Sequence, residues 1–118
     1  MAQLDGIQWH DAVLSKISID RSDPGNIDEI EFDIWSNSEN YRLKFIDVYY
    51  SSFELNFGVV AEESIRSFDS RDDSDSLNQT KSKWDKSDLI SYILYTNSTN
   101  SRIEIICTAL EISLMEKG

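Results

Sequence analysis

Hydrophobic and polar residues alternate along most of the chain, the pattern of strands with one buried face, and helical periodicity is scarce. Val13, Ile17 and Ile19 share one parity, as do Ile30, Phe32 and Ile34, and Asp23-Pro24-Gly25-Asn26 separates the two runs. Proline presets φ and glycine or asparagine tolerates positive φ, so this tetrapeptide predicts a turn. With Ser22 facing Ile27, Ile19 falls opposite Ile30 and Ile17 opposite Phe32, and the two apolar faces coincide. Asn37-Ser38-Glu39-Asn40 supplies the next turn: with Ser36 facing Tyr41, Ile34 lies opposite Leu43 and Phe32 opposite Phe45. A slip of one residue would send every apolar side chain to the wrong face, so two turns that agree on one face support an antiparallel meander. Its predicted core is Ile17, Ile19, Ile30, Phe32, Ile34, Leu43 and Phe45.

Further along, Phe53, Leu55, Phe57 and Val59 alternate as a fourth strand, which Gly58 weakens unless another backbone or ring comes close. Ala61 to Phe68 carries Ile65 and Phe68 at an i,i+3 spacing and reads as a short helix. Leu89 to Tyr95 is apolar on both parities apart from Ser91, which predicts a central strand covered on both sides. Ile103, Ile105, Cys107 and Ala109 alternate until Leu110, Ile112 and Leu114 take the opposite parity, and that switch predicts a bulge near Ala109. The 118 residues show no repeat or linker and suit a single domain, 1–118. The expected fold is mainly β: an antiparallel two-layer sandwich or open barrel of six to seven strands with at most one or two short helices.

Charge changes the picture of the surface. The chain carries 22 acidic and 11 basic side chains, a net charge of -11, and the whole excess lies before Lys81. Such a field repels phosphate backbones and anionic lipid, so no direct nucleic-acid or membrane partner is expected. The densest acidic run holds Asp69, Asp72, Asp73 and Asp75, with Arg71 its sole cation and Trp84 beyond it. It reads either as a solvated mobile loop or as an acidic hook for a basic partner. Glu29, Glu31, Asp33 and Trp35 form a second acidic surface, on the reverse face of the meander. There the register sets Asp33 between Lys16 and Lys44, and Trp35 between Leu14 and Arg42, so this face neutralises itself. Asp20 falls opposite Glu29, a like-charge pair that costs stability unless a basic partner uses it.

Chemistry finds little to work with. One His, one Cys and no CxxC or HxxxH spacing argue against a transition-metal site, and the acidic run lacks the mid-loop glycine and terminal Glu of a calcium loop. His10 with Cys107 would be the sole nucleophilic dyad, but Cys107 has the parity of Ile103 and Ile105 and reads as a small buried hydrophobe. His10, flanked by Trp9 and Asp11, reads as a cap or surface contact before a general base. Glu62 and Glu63 would diverge by about 100° on a helix. Phosphate-cradling glycine motifs are absent from the sequence, and no cofactor is expected. One Cys excludes an internal disulfide and suits a reducing compartment, and Met1 to Leu14 has neither a basic nor an apolar leader region, so secretion is not expected.

Three stretches carry a family resemblance: Trp9-His10-Asp11-Ala12-Val13-Leu14, Leu55-Asn56-Phe57-Gly58, and Thr96 to Ile105 with its Asn97-Ser98-Thr99-Asn100-Ser101 turn. Together they are similar to small bacterial immunity proteins, including partners of contact-dependent growth inhibition and polymorphic toxins. The resemblance implies a cytoplasmic, non-enzymatic protein that binds one cognate toxin domain and blocks it. Nuclease toxins must attract phosphates and are usually basic, which suits an acidic inhibitor. The expected toxin-binding residues are Asp69, Asp72, Asp73, Asp75 and Trp84, or Glu29, Glu31 and Trp35. The competing expectation is an acidic scaffold or a small-ligand-binding β domain without a toxin partner, and a hydrolase using His10 stands behind both.

Overall fold

The computed structural model describes residues 8–115. Six strands and one helix follow in the order β1 (Val13–Asp23), β2 (Ile27–Ser36), β3 (Glu39–Glu54), β4 (Ile65–Arg71), α1 (Asp75–Trp84), β5 (Ile90–Thr96) and β6 (Arg102–Met115). All strand pairs are antiparallel and belong to one sheet of order β1-β2-β3-β6-β5-β4. The fold is therefore mainly β, and the two-layer sandwich gives way to a single sheet that curls on itself. Its outer strands meet at one end, where Val13 bridges Ser64, Leu14 N–H donates to Glu63 O at 2.9 Å and Ile65 N–H to Ala12 O at 2.7 Å. The result is an open barrel whose interior holds Phe32, Phe45, Phe68, Tyr92 and Trp9. Phe32 meets Phe45 edge-on at 5.0 Å, and Trp9 meets Phe68 edge-on at 4.9 Å.

The first hairpin has the expected register, with Ile17 opposite Phe32 and Ile19 opposite Ile30. The second is displaced by two residues: Ser36 pairs with Glu39, Ile34 with Tyr41, Phe32 with Leu43 and Ile30 with Phe45. The turn is Asn37-Ser38 alone, with φ of 50° and 65° at its two residues, the left-handed pair that a two-residue hairpin needs. A shift of two keeps every side chain on its face, so Ile30, Phe32, Ile34, Leu43 and Phe45 are all buried. Ile17 is only partly buried, and Ile19 is 56% exposed. Its strand lies at the edge of the sheet, and the expectation of a buried Ile19 is corrected accordingly.

β3 ends at Glu54, and residues 55–60 form an exposed apolar connection in place of the expected fourth strand. Phe57 is 85% exposed there. Ala61 to Phe68 is no helix: Ile65 and Phe68 both point into the core from β4, three residues apart because the β4–β5 register shifts between Ile65 and Ser67. β5 is covered on both sides as expected, but it lies second from the sheet edge, under α1. The switch of parity in β6 is present, with Cys107 and Leu110 both inward. The irregularity itself sits across the ladder on β3, where Asp47 is left-handed (φ 59°) and the register shifts between Val48 and Tyr50.

α1 occupies what the sequence reads as the mobile loop. Ser74 caps it by accepting from Leu77 N–H at 3.2 Å, Asp75 suits the positive end, and Lys81 and Lys83 suit the last turn. Leu77 packs with Leu89, Ile106 and Tyr49, forming a second small core on the outside of the barrel.

Candidate functional site

On the outer face of β2, the acids are paired. Lys44 Nζ lies 3.5 Å from Glu29, and Arg42 Nε lies 3.2 Å from Asp33 and 3.6 Å from Glu31. The displaced hairpin register re-sorts these partners: Arg42 stands across from Asp33, flanked on its other side by Lys16, and Lys44 stands across from Glu31. Trp35 lies between Val13 and Asn40 and is 45% exposed, so the expected Leu14 and Arg42 neighbours are corrected too. Asp20 does face Glu29. Its carboxyl is held below the usual range by the Ser22 backbone N–H and then by the Ser22 hydroxyl, while Glu29 has Lys44, so each member of the pair has its own partner.

The acidic run is a different environment. Asp69 ends up on β4, Asp72 and Asp73 in the connection, and Asp75 in the first turn of α1; all four are exposed. Asp73 accepts from Asn78 Nδ2 at 3.2 Å, but none of the four is in an ion pair among the described residues. Trp84 closes α1, about 14 Å along the axis from Asp75. The structure thus separates Trp84 from the acids with which the sequence groups it.

Instead, Trp84 lines a cleft of about 510 Å³ together with Glu29, Asp28, Asp47, Tyr49, Tyr50 and Ile19. The cleft exists because β2 and β3 part company. Their last pair is Glu29 with Ile46; beyond it Asp47 turns left-handed, and β3 continues against β6 alone as far as Glu54 opposite Arg102. Three carboxylates, Asp28, Glu29 and Asp47, line the cleft against one cation, Arg21. Arg21 lies 3.8 Å from Asp28.

The nucleophilic dyad is not assembled. His10 is exposed, 3.2 Å from the Asp11 carboxylate, and lines a shallow depression with Trp35 and Glu62. Cys107 is buried in β6, and burial pushes its thiol up to about 12. Glu62 is exposed, whereas Glu63 accepts from the Thr99 hydroxyl. No group of three metal-ligating side chains lies together among the described residues, and none of their helices is long and apolar enough to cross a membrane.

Sequence reasoning missed Glu104, a buried carboxylate on the helix-covered face. Its Oε2 accepts from the Ser76 and Ser91 hydroxyls, each at 2.7 Å, and Arg102 lies 3.7 Å from Oε1. Strand alternation contained the signal, since Glu104 has the parity of Ile106 and faces α1. No family model matches the chain, and no curated protein matches it.

Proposed function

We propose that this chain is an immunity protein: a cytoplasmic, non-enzymatic inhibitor that binds a cognate bacterial toxin domain, a basic nuclease, and blocks it one to one. The observation that carries this reading is the contrast between the two acidic surfaces. Glu29, Glu31 and Asp33 are each ion-paired, with Lys44 or with a shared Arg42, whereas Asp69, Asp72, Asp73 and Asp75 stand exposed without an ion pair among the described residues. Placed on a molecule of net charge -11, that cluster suits a basic partner. The resemblance of the Trp9 to Leu14, Leu55 to Gly58 and Thr96 to Ile105 stretches to immunity proteins supports the same reading. An inhibitor of this kind occupies the ground that the nucleic-acid phosphates would take. The neighbouring gene and a co-expression test it: a toxin gene ending just upstream is expected, its toxin domain is expected to co-purify with this protein and host growth to be restored, and the absence of such a gene, or continued killing with no complex, would overturn the reading.

The cleft favours a second reading, a small-ligand-binding β domain, because about 510 Å³ falls within the range of ligand pockets. Binding of a cationic small molecule at Asp47 without any effect on a toxin would select it.

A further inference from the structure

The parting of β2 and β3 leaves an unusual feature. Residues 47–54 of β3 pair with β6 on one side, and no strand pairs with their other edge among the described residues. That edge is not a disordered margin: its partner strand is buried over Ile103 to Cys107, and the part from Asp47 to Ser51 forms one wall of the cleft. Every second residue of such an edge turns its N–H and C=O away from the existing ladder, which makes it a template for another chain. Eight residues exceed the usual strand length of about 5–6.

We propose that this edge of β3 receives an extended segment of a basic partner protein as an additional strand, with a Lys or Arg side chain set against Asp47. The charge of the cleft selects the occupant. Arg21 answers Asp28, and Lys44 answers Glu29 from outside the cleft; Asp47 makes no ion pair among the described residues, and Lys86, whose ammonium feels its charge, is itself paired with Asp88 at 3.4 Å. An incoming cation would find Asp47 at the mouth of the edge with the Tyr50 ring, 44% exposed, beside it, while the Trp84 ring, 52% exposed, already carries Lys83 and offers apolar surface. A second copy of this chain is disfavoured as occupant, since it would bring another net charge of -11 against the same acids. Backbone pairing would supply the affinity and the cation the choice of partner. The proposal deepens the reading above, because it rests on the partner being basic, and a toxin would be the source of the segment.

An eight-residue peptide of alternating Lys and Val, with its alternating Glu and Val counterpart as control, tests the site without any toxin. Followed by amide NMR on the whole chain, the Lys peptide is expected to perturb residues 47–54 saturably and the Glu peptide to leave them unmoved. Asp47→Asn keeps a residue that tolerates the left-handed conformation and is expected to weaken binding about fivefold. Tyr50→Lys, at an exposed position, places a repelling charge on the edge and is expected to abolish it. Equal binding of both peptides, perturbation confined to Asp69 to Asp75, or no perturbation at all would overturn the proposal. Capture of the Lys peptide at β3 by a protein that inhibits no toxin domain would uphold the edge site and remove the toxin reading alone.

Discussion

The Trp84 indole stands edge-on to the Tyr49 ring, with 5.9 Å between centroids and 65° between planes. This contact ties the end of α1 to the irregular segment of β3, the point at which the sheet parts. Lys83 and Lys86 lie 5.4 Å and 5.6 Å from the Trp84 and Tyr49 ring centroids, so both rings already carry a cation. Trp84→Ala is expected to cost about 1 kcal/mol of stability through the lost ring pair. It is also expected to speed dissociation of the partner several-fold with little change in association, read by surface plasmon resonance.

The exposed acids act at longer range. Asp72→Asn combined with Asp73→Asn removes two of the four unpaired charges without touching the Ser74 cap. Association with the toxin domain is expected to slow and its salt dependence to flatten, while dissociation stays unchanged. Stopped-flow rates at low and high salt check this; a wild-type rate at low salt would leave these residues as a solvated connection.

Glu104 holds α1 to the sheet. Glu104→Ala leaves the Ser76 and Ser91 hydroxyls without their acceptor and Arg102 without its carboxylate, and is expected to destabilise the fold by about 3 kcal/mol. Glu104→Gln retains an acceptor for the hydroxyls and is expected to cost less, as urea denaturation would show.

Alkaline pH is expected to unfold the protein earlier than neutral pH does. Burial pushes both the Cys107 thiol and the Tyr92 hydroxyl up to about 12, from ordinary values of 9.0 and 10.0. Above pH 9 the unfolded chain therefore loses these protons first, so stability is whole below pH 9 and declines as pH climbs towards about 12. The urea midpoint is expected to be flat near pH 8 and to fall beyond pH 9, less steeply in Cys107→Ala. In the native protein, Cys107 is expected to resist thiol reagents at pH 8 until denaturant is added.

Facing was more legible in the sequence than position. The Asn37-Ser38-Glu39-Asn40 stretch accommodates a two- or a four-residue turn, and both leave Phe32 and Leu43 inward, so parity alone does not choose between them. Partners on the outer face do depend on that choice, which is why Arg42 meets Asp33. Phe53 to Val59 alternates like a strand but, among the described residues, has no strand to pair with beyond Glu54, and alternation carries no information about neighbours. Ile65 and Phe68 mimic a helical spacing through a bulge. α1 escapes periodicity because it buries only Leu77 and Thr80, although Ser74, Asp75, Lys81 and Lys83 mark its ends. The acids of the candidate site were legible one by one; their division between a paired face, an unpaired corner and a cleft depended on register.

The most direct measurement titrates this protein into a fixed amount of the toxin domain proposed as its partner while following cleavage of nucleic acid. Activity is expected to fall in proportion to added protein and reach zero at one to one, with Asp72→Asn and Asp73→Asn together shifting only the time needed to get there. Full cleavage at a several-fold excess of folded protein would contradict the account.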